Sequence, residues 1–259
     1  MSADLTFGPV PQAPGFRFER HASLPSTNST AMAAARAGQA SGLWVLADVQ
    51  TQGRGRRGRN WVSPAGNLFA SVLLIDPGPR ERIGELPLVA AVALAEAVDT
   101  AVGAFGLARL KWPNDLLVGG AKLSGILLEA EPLADGHLAV VCGFGVNCAS
   151  HPEPENYPAT DLASLGYRVD AGTMFRCLSA SVARRLDSWR EDGFEPARRA
   201  WLERALKLGE TITVRLPEED LIGCFRDIDP RGQLVLELKD GTRRIISAGD
   251  VFFGARSEG

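Results

Sequence analysis

Between Gly53 and Gly58 the chain spells G-x-G-x-x-G, and its open positions hold Arg54, Arg56 and Arg57, with Arg59 following. The glycine spacing is that of a dinucleotide-binding turn. The arginines suit a nucleic-acid patch or a loop that closes on a small anion. A dinucleotide turn needs a helix starting at the glycines, so that its N-terminus meets the pyrophosphate. After Gly58 come "RNWVSPAG" and then the strand-like "NLFASVLLI", so no helix is expected there. No G-x-x-x-x-G-K-[ST] phosphate loop occurs. Four arginines repel one another and three glycines raise the cost of ordering, so this loop is expected to order only against a polyanion. The plain alternative is a solvated basic loop with no ligand.

A second group lies in "KWPNDLLVGGAKLSGILLEAE", which gathers Lys111, Asn114, Asp115 and Lys122 around a Trp-Pro turn and a glycine pair. Asn114 and Asp115 follow Pro113 in a turn that can aim polar side chains. Lys122 opens a strand that otherwise reads as buried. A lysine there needs a partner, which a ligand carboxylate or phosphate would supply. "GFGVN" (Gly143–Asn147) ends another strand in small residues and one amide.

The elements that must position these groups are legible from periodicity and turn chemistry. "FRFERHASL" and "LWVLADVQ" read as strands, and "STNSTAMAAARAG" between them as a helix capped by Ser26, Thr27 or Asn28 and closed by Gly38. Leu88–Val102 reads as a deeply buried helix. "ARLKW", "DLLV", "AKLSGILLEAE" and "HLAVVCGFGVNC" read as strands, the third interrupted at Gly125. Residues 151–169 form a loop region, and helices follow over Gly172–Glu191 and Glu195–Ala205. Strand and helix runs are segregated more than they alternate, which predicts an α+β fold: a mixed or antiparallel sheet with helices packed on one face. From Leu208 short strands and turns such as Asp229–Gly232 and Asp240-Gly241 predict a small C-terminal β-barrel. The expected organisation is an N-terminal arm over 1–15, a large domain over 16–207 and a small β domain over 208–259.

Of the 259 residues, 45% are hydrophobic and 23% charged, the balance of a globular protein. The formal net charge of -3 argues against a general nucleic-acid binder. Residues 210–259 carry 7 Lys/Arg and 10 Asp/Glu, which leaves 21 of each sign in residues 1–209. The arginine cluster is therefore a local positive feature on a neutral body, suited to a small polyanion. The four cysteines form no C-x-x-C pair and the three histidines lie far apart, so no protein metal site is expected. Scattered cysteines and a start without a basic, apolar leader suggest a cytoplasmic protein. The longest apolar stretch, Leu86 to Val98, contains Pro87 and Glu96 and is too short to span a bilayer.

Five segments, "STN" (Ser26–Asn28), "GRGRRGR" (Gly53–Arg59), "KWPND" (Lys111–Asp115), "KLSGIL" (Lys122–Leu127) and "GFGVN", occur in the order and approximate spacing of biotin–protein ligases, which the chain resembles. The likeness is strong from Phe16 to Asn147 and weaker beyond. It implies the biotin/lipoate ligase catalytic fold and an SH3-like C-terminal barrel. Some family members carry an N-terminal helix-turn-helix. Only about 15 residues precede the first strand here, so the short monofunctional form, without DNA binding, is expected. "DVFFGARSEG" aligns loosely and gives Arg256 no assigned role.

The resemblance implies a two-step reaction. Biotin's carboxylate attacks the α-phosphate of ATP, giving biotinyl-5′-AMP and pyrophosphate. A carrier lysine then attacks the acyl-adenylate and releases AMP. By resemblance Lys122 and Arg54 lie nearest the junction of the two anions, and Arg56 and Arg57 close over the ligand. Asp115 assists a metal or the amine, or only holds the turn. Ser26, Thr27, Asn28 and Gln50 match the ureido ring, and Gly55, Arg56, Lys122 and Gly125 join Arg54 on the biotin side. Arg54, Arg56, Arg57, Trp61, Asn114, Lys122 and Asn147 belong to the nucleotide side; Trp61 and Trp112 are also open to a core-packing reading. Mg²⁺ would ride on the ATP phosphates rather than on protein ligands. The implied partner is the biotin carboxyl carrier protein of acetyl-CoA carboxylase, and a homodimer through a sheet edge fits as well as a monomer. The competing readings are a lipoate–protein ligase and a non-enzymatic anion- or nucleic-acid-binding protein.

Overall fold

The computed structural model describes residues 6–10, 13–153 and 158–252; Arg256 lies outside them. Eight strands form one mixed sheet: β1 (Thr6–Pro9), β2 (Arg17–Leu24), β3 (Leu43–Gln50), β4 (Leu68–Ile75), β5 (Arg109–Lys111), β6 (Asp115–Val118), β7 (Ala121–Pro132) and β8 (Leu138–Val146). Their order is β1-β2-β3-β4-β8-β7-β6-β5. β2 and β3 run parallel because helix α1 (Thr27–Arg36) carries the chain back between them. The other neighbours are antiparallel.

The residues before Phe16 were expected to form only a surface arm. Instead Thr6–Pro9 pairs with Arg17–Arg20 as the edge strand, and Val10 and Ala13 are buried in the turn that follows. β7 runs without a break through Gly125. The irregularity in that ladder falls two residues earlier, at Leu123, the extra residue of β7 opposite Leu116 and Leu117 of β6.

The sheet stands as predicted, but the helices, expected on one face, divide between the two. Ala31, Met32 and Ala35 of α1 pack on Leu43, Val45, Leu73 and Val141. The alternate residues Trp44, Leu46, Val72, Leu74, Val140 and Cys142 belong to the core formed with α2 (Leu86–Val102) and α3 (Ala171–Glu191). The physical reason lies in "LWVLA": a strand apolar at five successive positions is buried on both faces, and each face needs cover. Burial there pushes the Cys142 thiol up to about 12, so it is an inert filler of the core.

Helix α4 (Glu195–Arg204) joins the large sheet to the small one. Strands β9 (Thr211–Arg215), β10 (Asp220–Ile228), β11 (Leu234–Leu238), β12 (Arg243–Ile246) and β13 (Asp250–Phe252) form a five-stranded antiparallel sheet in the order β12-β11-β10-β9-β13. This is consistent with the SH3-like unit expected. Trp201 of α4 meets Phe225 of β10 edge to face, with centroids 6.2 Å apart, so the two cores are continuous. β13 pairs with β9 and lies next to the arginine loop, where Asp250 meets Arg57 and Arg59.

Candidate active site

A cleft of about 610 Å³ opens between the large sheet and β13. Every residue singled out for a site lines it: Ser26, Thr27, Asn28, Gln50, Arg54, Gly55, Arg56, Arg57, Trp61, Asn114, Asp115, Lys122, Gly125 and Asn147, with Trp112.

At one end lies the first turn of α1. Ser26 caps the helix, its Oγ accepting from Ser29 N at 3.4 Å, and also faces the cleft. Capping and site lining are here compatible roles of one residue. Thr27 donates to Gln50 Oε1 from its backbone N at 2.8 Å, and its hydroxyl lies 3.1 Å from the same oxygen. Gln50 Nε2 in turn donates to Ser63 Oγ at 3.1 Å. Both amide hydrogens of Asn28 are used inside the protein, on Leu127 O at 3.1 Å and Glu129 Oε2 at 2.7 Å. Its Oδ1 accepts from Ser71 Oγ at 2.6 Å.

The floor is made of glycines. Gly125 of β7 and Gly145 of β8 are register partners, and the Trp61 indole lies across them. A Cβ on Gly145 would come within 2.5 Å of that ring, and one on Gly125 within 3.1 Å. A Cβ on Gly143 would stand 2.0 Å from Asn28 Oδ1. These glycines serve close approach, not unusual backbone angles. Trp61 Nε1 is buried without an acceptor among the described residues.

The arginine loop is a narrow hairpin. Trp61 N donates to Gly53 O at 2.9 Å, Arg54 bridges Asn60, and Gly55 N donates to Arg59 O at 2.7 Å. Arg57 (φ 56) and Gly58 (φ 70) turn the tip through the left-handed region, which costs an arginine about 1 kcal/mol or more. β4, not a helix, is the next long element, in line with the rejection of a dinucleotide turn.

Beside the polyanion expected for this loop, the structure supplies an anion of its own. The loop's counter-charge comes from within the chain. Arg57 Nη1 lies 3.1 Å from Asp250 Oδ2, Arg59 Nη2 lies 2.9 Å from Asp250 Oδ1, and Arg56 Nη1 is 3.9 Å from the same carboxylate. Arg56 also donates to Gly249 O and to Asn114 Oδ1, each at 3.2 Å. Burial holds the Arg56 guanidinium below its ordinary value, opposed by Asp250 and Asp115. Arg54 points the other way, to Glu129 at 3.1 Å and to Ser29 Oγ at 2.6 Å.

Lys122 also finds an internal partner. Its Nζ lies 2.7 Å from Asp115 Oδ1 and 5.3 Å from the Trp61 ring centroid. The backbone of Lys122 is clamped by Pro158 O and Thr160 N. Asn147 Nδ2 donates to Thr160 O at 3.0 Å, which secures the same segment. Lys111 stands nearby, 5.8 Å from the Phe252 ring. Burial pushes its ammonium below the usual lysine range; Asp115 opposes this and Lys122 adds to it.

Residues 22–147 match the biotin/lipoate A/B protein ligase family, and residues 207–254 match the biotin protein ligase C-terminal domain. The chain is 40% identical over 242 residues to a biotin–[acetyl-CoA-carboxylase] ligase of Paracoccus denitrificans, covering 90% of this chain and 99% of that one. The chain belongs to this ligase family. A bifunctional ligase/repressor, BirA, of Bacillus subtilis is 32% identical over 254 residues, covering 95% of this chain and 77% of that one. Among solved structures, biotin protein ligase from Aquifex aeolicus in complex with biotin and ATP superposes with a TM-score of 0.77 at 27% identity, covering 91% of this chain and 97% of that one.

Within this family fold, sequence reading overlooked Glu129, Asp250, Arg215 and Phe252. Glu129 stands two residues beyond "KLSGIL" and carried no local signal beyond being acidic on a strand. Asp250, Arg215 and Phe252 come from the small sheet, and only tertiary packing brings them to the cleft. No group of three or more His, Cys, Asp or Glu among the described residues could hold a metal ion. Among them, no helix is long and apolar enough to cross a membrane.

Proposed function

We propose that the protein is an ATP-dependent biotin–protein ligase that forms biotinyl-5′-AMP and transfers the biotinoyl group to a lysine of a carboxylase carrier domain. The observation that carries this reading is one cleft with two chemically different ends. Ser26, Thr27 and Gln50 present hydroxyl and amide groups of both hydrogen-bonding senses. Arg56, Arg57, Lys111 and Lys122 crowd positive charge at the other end.

The ureido ring offers one acceptor and two donors, which the first end can match. The dithiolane ring of lipoate offers neither, so the same polar groups would be left unpaired against it. Asn28 and Gly55 complete this end, Asn28 mainly as a brace. Gly125 lets Trp61 and the Lys122 side chain lie close on the floor beside the site of the acyl chain. Trp61 covers it, with a donor in want of an acceptor.

In the first step a carboxylate oxygen bonds to the α-phosphorus and the bond to the β-phosphate bridging oxygen breaks. Two anions must meet, and Lys122 with Arg54, Arg56 and Arg57 offsets their repulsion. Asn114 and Asn147 hold the nucleotide side of the cleft. In the second step the carrier amine attacks the acyl carbon, an amide bond forms, and AMP leaves. We assign Asp115, the partner of Lys122, the proton released by that amine. Mg²⁺ carried by ATP would neutralise phosphate charge, and Asp115, Glu153 and Asp250 are the carboxylates lining the cleft that could face such an ion. The loop excludes water from the labile adenylate.

The test is to incubate the protein with biotin, MgATP and a biotin carrier domain and to measure carrier mass. A gain of one biotinoyl group that needs ATP supports the reading. No gain with biotin, lipoate or octanoate refutes it.

A further inference from the structure

We propose that Glu129 is a positioning residue that fastens the root of the arginine loop to the first turn of α1. This rests on the ligase reading for its kinetic consequence, but not for its structural one. The carboxylate accepts three hydrogen bonds from two other elements: two from Arg54 Nη2, at 3.1 Å each, and one from Asn28 Nδ2 at 2.7 Å. Arg54 Nη1 closes the ring by donating to Ser29 Oγ at 2.6 Å. Strand β7, helix α1 and the loop thus meet at one side chain.

The chemistry of the site makes an anion necessary there. Arg54 shares its loop with Arg56, Arg57 and Arg59, and without a local acceptor like-charge repulsion would push it outward. Glu129 directs the guanidinium toward the helix, whereas Asp250 draws the other three toward the small sheet. The loop is therefore pinned at both ends by carboxylates lying more than 100 residues apart in the chain. A carboxylate in the Glu129 position would repel a substrate carboxylate, so its role is to aim Arg54 and Asn28, not to touch the reacting atoms. Asn28 is in van der Waals reach of the glycine floor at Gly143, so a shift in the anchor reaches the biotin end directly.

Two residues along the same strand, Glu131 pairs with Arg36 at the far end of α1. That pair also straps α1 to β7 but makes no contact with the loop, so it serves as a control. The experiment compares native protein, Glu129→Gln and Glu131→Gln by trypsin cleavage after Arg54, Arg56, Arg57 and Arg59, resolved by mass spectrometry, and by steady-state biotinoylation. Glu129→Gln is expected to raise loop cleavage about tenfold and KM for biotin by a similar factor, with kcat changed about twofold or less. Glu131→Gln is expected to leave both at native values, at a similar thermal midpoint. Native loop cleavage in Glu129→Gln, or a fall in kcat with KM unchanged, overturns the proposal. If Glu129→Gln fails to fold, Glu129→Asp, which keeps the charge but shortens the reach, is read by the same measurements. Native protein that never biotinoylates a carrier refutes the ligase reading alone, because the cleavage comparison still decides the anchor.

Discussion

Lys122 Nζ and Asp115 Oδ1 stand 2.7 Å apart across the β6–β7 ladder, both with less than a fifth of their side chains exposed. The pair stores the cation that the cleft would present to an incoming anion. It also accounts for the buried lysine without invoking a ligand.

Removing that cation should be severe. Lys122→Gln is expected to lower biotin-dependent ATP–pyrophosphate exchange by about 10²–10³-fold, the loss seen when one preorganised charge donor is removed. Asp115→Asn leaves the lysine in place and should cost less in exchange than in carrier transfer. Equal losses in both half-reactions would remove Asp115 from the second step.

Asp250→Asn takes the shared carboxylate from Arg56, Arg57 and Arg59. Three like charges then face each other and the loop must be ordered by the ligand itself, a cost borne on binding. KM for ATP should rise several-fold and release of the pre-formed adenylate should quicken. Retention at the native rate, followed with labelled adenylate, would show that Asp250 does not hold the loop.

The Gly145 position tests the floor. Gly145→Ala places a Cβ about where the Trp61 ring lies, and the strand backbone cannot retreat because the Phe69–Gly145 and Gly125–Gly145 pairs hold it on both sides. The indole is expected to lift, with a shift in tryptophan fluorescence and a stability cost of about 1–3 kcal/mol in urea unfolding. A native urea midpoint would contradict the packing described.

Lys111 makes a pH prediction whose sign follows from burial. Its value in the fold lies below the ordinary 10.5, so at neutral pH the fold carries a penalty for keeping it charged. In the window between the depressed value and 10.5 the unfolded chain binds more protons, and stability rises with pH. Lys111→Met removes this contribution. Its unfolding free energy should therefore climb less steeply across that alkaline window than the native one, as urea titrations at stepped pH would show.

Much of the site is legible in the chain itself. The N-cap triad Ser26–Asn28, the arginine hairpin, "KWPND" and "KLSG" each carry local reasons to place polar groups at a turn or strand end. Local reasons survive folding, because capping, glycine approach and turn chemistry depend on near neighbours. Helix and strand positions follow from the same short-range patterns.

What the chain by itself determined, then, is which segments carry the chemistry and what elements hold them. What only the tertiary structure decided is who neutralises whom. Lys122 meets Asp115, Arg54 meets Glu129, and the remaining loop arginines meet Asp250, a residue nearly 200 positions away in sequence. The division of helices between the two faces belongs to the same class, since an apolar strand states only that both faces are covered and not by what. Electrostatic partnership acts through space, between side chains that periodicity treats as unrelated, so no local pattern records it.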